Sequence, residues 1–151
     1  WDYGIELSRR FRALKLWLTL RYYGTRRLAE AISSDNALAQ YLAGALRASE
    51  DFELLAPVTL SICCFRYMPE ALRLRLEGAR SEEESEAINS ELDRMNTRIM
   101  HAVQRGGRAY LSNATLRGRF ALRACITNFR TTRADLDRTL DIIRDAAREL
   151  D

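Results

Sequence analysis

The apolar residues of this chain switch repeatedly between helical and strand spacing, and the order of the switches admits only a mixed fold. Residues 7–23 carry Leu14, Leu16, Trp17, Leu18 and Leu20, which leave few polar faces, so a helix buried on most sides is expected. Ser8 is its candidate N-cap and Gly24 its stop. A second helix is read over 26–49 from Leu28, Ile32, Leu38, Tyr41, Leu42 and Leu46, with Ser33-Ser34-Asp35-Asn36 as a point of interruption.

Strand spacing follows. Residues 52–55 form a short strand. Residues 58–67 form a longer one, in which Val58, Leu60, Ile62 and Cys64 alternate with Thr59, Ser61, Cys63 and Phe65. Pro57 between them marks a bend or an edge. In 69–80 the alternation of Leu72, Leu74 and Leu76 with Arg73 and Arg75 suggests an extended segment or a surface loop. Ser81 with Glu84 reads as a capping box opening a helix over 82–105, whose stripe is Ile88, Leu92, Met95, Ile99 and Val103 and whose end is Gly106-Gly107. Strands over 108–116 and 119–128 are joined by a tight turn at Arg117-Gly118. Thr132 and Asp135 cap a last helix with the stripe Leu136, Leu140, Ile143 and Ala147. The expected fold class is therefore α+β: a small, mostly antiparallel sheet covered by helices on one face.

At 151 residues the chain can bury a sizeable core. No apolar run approaches the length of a bilayer span, and no signal-peptide pattern is present. The first residue is Trp1, from which a processed product or an excised domain is expected. The net charge of +3 is spread among interleaved acids, as in Arg133-Ala134-Asp135 and Asp137-Arg138, which suits solvated helix faces better than a nucleic-acid surface. Cys63, Cys64 and Cys125 lack metal or disulfide spacing and read as buried, reduced thiols of a cytoplasmic protein.

Reactive groups are sparse. His101, the one histidine, has no ligand partners at metal spacing and no nucleophile beside it, so it reads as a surface or boundary residue. No Gly-x-Ser-x-Gly elbow and no phosphate-cradling glycine loop occurs. Lys15 is the only lysine, and a lysine in an apolar helix can be a Schiff-base lysine. Arg9, Arg10 and Arg12 crowd it, however, and point instead to anion contact or interdomain ion pairing. No catalytic, cofactor-binding or metal-ligating residue is assigned within the chain.

Several blocks carry a resemblance. Asp2-Tyr3 is followed by Ile5-Glu6-Leu7-Ser8-Arg9-Arg10-Phe11-Arg12-Ala13-Leu14-Lys15-Leu16-Trp17, then Leu20-Arg21-Tyr22-Tyr23-Gly24. Further on come Phe52-Glu53-Leu54, the run from Val58 to Arg66, and Leu116-Arg117-Gly118-Arg119-Phe120-Ala121-Leu122-Arg123. In this order they resemble the C-terminal portion of group II pyridoxal-phosphate-dependent amino-acid decarboxylases, the aromatic-L-amino-acid decarboxylase family.

The resemblance implies the small C-terminal domain of a fold-type I enzyme, preceded by a long domain-linking helix. Residues 1–49 would join an absent large cofactor-binding domain, and 50–151 would form the α+β small domain. It also implies an obligate homodimer, an amino-acid substrate and a cytoplasmic location, with no nucleic acid and no membrane as partner. Pyridoxal 5'-phosphate would be bound in the intact enzyme and not by this chain alone, because the cofactor lysine, the pyridine-pairing aspartate and the stacking histidine would all lie upstream of Trp1. Arg9, Arg10 and Arg123 would border the active site. For Arg123, salt bridging at the core edge is the plainer expectation, since a tight clamp on the departing carboxylate would oppose decarboxylation. The competing expectation is a free-standing α+β interaction or dimerisation module without cofactor; a basic nucleic-acid-binding domain is a third.

Overall fold

The computed structural model describes residues 11–150. Its elements are helix α1 (Ala13–Ala48), strands β1 (Phe52–Leu54) and β2 (Ile62–Tyr67), helices α2 (Glu70–Glu77) and α3 (Glu82–Gly106), strands β3 (Ser112–Leu116) and β4 (Arg119–Cys125), and helix α4 (Arg133–Arg148). The four strands make one sheet in the order β1-β2-β4-β3, antiparallel at every pairing. The expected α+β class is what is found.

α1 is two helices meeting at Gly24, whose φ of 75° and ψ of 163° belong to a region that glycine alone enters without strain. The expected stop is there. The expected break at Ser33-Ser34-Asp35-Asn36 is not: none of these is Gly or Pro, and the helix runs through. Among the described residues the first helix begins at Ala13; the expected start at residue 7 and its cap Ser8 lie outside them. Its expected burial is also corrected. Leu16, Trp17 and Leu18 are at least 50% exposed, because the sheet is met only by the later part of α1, through Ala39, Leu42, Ala43 and Leu46.

Strand alternation sets the layers. Cys63 and Phe65 of β2, paired with Ala124 and Leu122 of β4, face a core shared with α1, α4 and the C-terminal half of α3 through Ile99, Val103, Leu140 and Ile143. All three longer strands are shorter than expected, β4 ending at Cys125 and not at residue 128. Gln40 on α1 takes the Val58 carbonyl at 2.6 Å, so the 58–61 stretch is tied to the helix, although Ile126 still donates to Ser61 O at 2.8 Å. At the other edge, Gln104 takes the Leu111 carbonyl at 2.7 Å, and β3 starts only at Ser112.

The 69–80 stretch, expected to be extended or a loop, is helix α2. Pro69 stands at its N-cap and supplies the carbonyl for Leu72 and Arg73. Leu72 is buried and Leu76 half-buried, four apart on one face, while Leu74 is 54% exposed. With Met68, Ile88 and Leu92 they make a second, smaller core between α2 and α3.

Caps follow the sequence closely. Thr132 Oγ1 accepts from Asp135 N, and Asp135 accepts from Thr132 N at 2.9 Å, a complete capping box. At α3, Ser81 Oγ accepts from Glu84 N, but the Glu84 carboxylate turns to Arg80 N instead of Ser81 N. Arg117 (φ 51°) and Gly118 (φ 79°) form the two-residue β3–β4 turn with both central residues left-handed.

Candidate functional site

The sheet face turned away from α1 and α4 carries a row of arginines, two of which α3 engages: Arg66 through Asn89 and Arg119 through Glu86. Arg123 sits mid-β4, across from Cys64 on β2 and Ser112 on β3. It is half-buried, its Nε is enclosed without a hydrogen-bond partner, and among the described residues its guanidinium has no ion pair. The core-edge salt bridge expected for it is therefore absent there. The neighbouring arginine on that face, Arg66, is already engaged: it donates from Nε to Glu53 Oε2 at 2.6 Å and from Nη1 to Asn89 Oδ1 at 2.9 Å. Burial raises the Cys64 thiol above its ordinary value, with Arg123 opposing the shift, so Cys64 faces Arg123 as a neutral thiol. A half-buried guanidinium with no ion pair among the described residues and donors in a fixed fork is suited to receive an anion.

α3 sets the geometry below it. Pairing of β2 with β4 runs from Ile62↔Cys125 to Phe65↔Leu122 and stops. Where the next rung would come, Tyr67 N donates to Asn96 Oδ1 at 2.7 Å and Asn96 Nδ2 donates to Tyr67 O at 2.9 Å. Phe120 N donates to Asp93 Oδ1 at 3.0 Å. The helix is thus wedged where the two strands splay. Asn89, Asp93 and Asn96 were not singled out from the sequence. A signal existed for Asn96: it continues the fours of Ile88 and Leu92, a polar residue at core spacing.

Arg9 and Arg10 lie outside the described residues. His101 is exposed, as a surface histidine should be. Cys63 is buried, donates to Ala39 O at 3.2 Å, and is pushed up to about 11 by burial and then by Cys64; Cys125, expected buried, is exposed where β4 ends. All three thiols are free. Among the described residues no group of three or more His, Cys, Asp or Glu could hold a metal ion, and no helix is long and apolar enough to cross a membrane. A groove of about 520 Å³ lies between the kinked helix and the 129 loop, lined by Thr19, Tyr23, Arg27, Leu28, Ala31 and Phe129.

The sequence from 1 to 68 matches the model of the pyridoxal-dependent decarboxylase conserved domain. The chain is 33% identical over 149 residues to phenylacetaldehyde synthase of a Rosa hybrid cultivar, covering 99% of this chain and 28% of that protein. It is 31% identical over 147 residues to aromatic-L-amino-acid decarboxylase of Bacillus atrophaeus, covering 97% and 28%. Its fold superposes on the crystal structure of Oryza sativa TDC with PLP and tryptamine with a TM-score of 0.75 at 28% identity, covering 99% of this chain and 29% of that one.

This chain belongs to the pyridoxal-dependent decarboxylase family.

It matches the C-terminal portion of such decarboxylases and spans little more than a quarter of the length of these relatives. Family membership raises the question of whether these residues can hold the cofactor. Pyridoxal phosphate needs a lysine amine in an enclosed cradle. Lys15 is exposed on the apolar ridge of α1 and does not line the groove beside it. The described residues therefore do not fit the group by themselves.

Proposed function

We propose that this chain is the C-terminal domain of a pyridoxal-phosphate-dependent amino-acid decarboxylase, a carboxy-lyase, with a structural and active-site-bordering role and no catalysis of its own. Residues 1–49 are the helical link to the large cofactor-binding domain, and 50–151 are the small domain. The parent is a cytoplasmic homodimer acting on an amino acid in amino-acid metabolism, with aromatic amino acids the first to assay. Free thiols accord with a reducing compartment.

The observation that carries this proposal is the apolar ridge of the first helix. Leu14, Leu16, Trp17, Leu18 and Leu20 are all at least 39% exposed on consecutive turns. Large apolar side chains exposed on several sides of one helix mark a surface that another body covers, and the relatives are more than three times as long as the chain. The ridge and the adjoining groove are where the large domain docks. This favours a domain of a larger enzyme over a free-standing module.

When bound in the parent, the cofactor supplies the electron sink for loss of carbon dioxide. This chain contributes position and charge. Arg10 fixes the active-site border through charge-assisted hydrogen bonds, and Arg123 offers its unpaired guanidinium to an anionic group there. The test is carbon dioxide release and product analysis, for amine and aldehyde, by the full-length protein and its Arg10→Ala variant. Release by the native enzyme with a marked fall in kcat for the folded variant supports the proposal. Unchanged kinetics in Arg10→Ala sink the role of Arg10, and failure to decarboxylate any amino acid sinks the function.

A further inference from the structure

We infer that Asn96, assisted by Asp93, is a positioning residue that acts through Arg123. The inference rests on Arg123 bordering the active site. A direct rung between Tyr67 and Phe120 would satisfy their facing backbone groups with no side chain at all. Asn96 instead takes both groups of Tyr67, at 2.7 and 2.9 Å, and Asp93 takes Phe120 N at 3.0 Å. The insertion is therefore not needed to satisfy backbone. It fixes how far apart β2 and β4 stand as they leave the last paired rung.

Asn96 is rigid enough to do this. It is fully buried, and its Nδ2 also donates to Leu92 O at 2.9 Å, which locks the amide orientation. Arg123 is three residues along β4 from Phe120, so the pin lies about 10 Å from its Cα along the strand. Strand separation and twist at the pin carry directly into the cross-strand pair Cys64↔Arg123, and hence into the direction of a guanidinium that no ion pair within the described residues holds. A half-buried cation with no ion pair among the described residues is sensitive to the backbone that carries it.

The test is a double-mutant cycle in the full-length holoenzyme, with kcat and KM measured per cofactor-loaded, folded enzyme. Asn96→Leu should lower kcat/KM about tenfold in the native background and produce no further loss in an Arg123→Met background. Asp93→Ala should show the same pattern at about threefold, with Asp93→Asn, which keeps the Oδ acceptor, restoring native kinetics; this pair reports even if Asn96→Leu fails to fold. Equal losses in both backgrounds, or a lowered melting temperature with unchanged kinetics, overturn the inference. Native kinetics in Arg123→Met alone overturn the reading of Arg123 and this inference with it, whereas a defective Arg123→Met with additive losses overturns this inference only.

Discussion

Arg66 is buried to 3% exposure and is held by Glu53, whose Oε2 lies 2.6 Å from its Nε. Asn89 on α3 takes the guanidinium's Nη1 at 2.9 Å, so one buried cation ties β1, β2 and α3 together. With Arg66 satisfied in this way, Arg123 is left as the cation of that face able to meet an outside group. Arg66→Ala should destabilise the domain by about 3 kcal/mol, since it strands Asn89 and removes the packing of a buried side chain. Arg66→Met should cost less by keeping the volume. Urea denaturation followed by circular dichroism checks the order; equal stability of native and Arg66→Ala would contradict it.

Gly24 lets the first helix turn away from the second at φ 75° and ψ 163°. Gly24→Ala should cost roughly 1–3 kcal/mol, although nothing lies within 4 Å of the added methyl, because the penalty is backbone strain and not a clash. In the full-length enzyme the substitution should also displace the ridge from its docking surface. A Gly24→Ala enzyme with native stability and activity would remove the kink from the account.

The Asp135 carboxyl is held below its ordinary value, first by the Thr132 hydroxyl and then by the Thr132 backbone N–H. A carboxyl whose folded value is depressed adds stability that is complete above its unfolded value, about 3.9, and is lost as pH falls through the folded value. The melting temperature should therefore drop through that acid window. Asp135→Asn should flatten the drop and lower the melting temperature near neutral pH, where the stability added by the charged carboxylate is lost. Identical acid profiles for native and variant would show that the box carries no pH dependence.

Apolar side chains on the first helix should make the isolated chain self-associate. Replacing Trp17 and Leu20 by Arg should return it to a monomer in analytical ultracentrifugation without unfolding 50–150. The same double substitution in the full-length enzyme should lose the folded, cofactor-loaded form. A full-length variant that stays fully active would mean that the ridge docks nothing.

Much of the fold was legible because its signals are local. The Thr132–Asp135 box, the Arg117-Gly118 turn and the stripe of α3 each lie within a few residues and were found in place. α2 was missed because Leu72, Leu74 and Leu76 alternate like a strand, and only packing against α3 shows that Leu74 is left outside. The burial of the first helix was read from its own composition, whereas its covering surface is not among the described residues. Arg123 could be named from the likeness of its strand. That it has no ion pair among the described residues is set by what the sheet places around it, Cys64 on one side and Ser112 on the other, which is long-range geometry that no spacing reveals.

The central claim is that this chain completes a decarboxylase whose cofactor site lies elsewhere in the parent. The most direct measurement compares the isolated chain and the full-length protein, each mixed with pyridoxal phosphate, for borohydride-trapped lysine-bound cofactor and for carbon dioxide release from aromatic amino acids. Stoichiometric trapping and release are expected from the full-length protein, and neither from the chain alone. Specific trapping at Lys15 accompanied by carbon dioxide release from the isolated chain would contradict it.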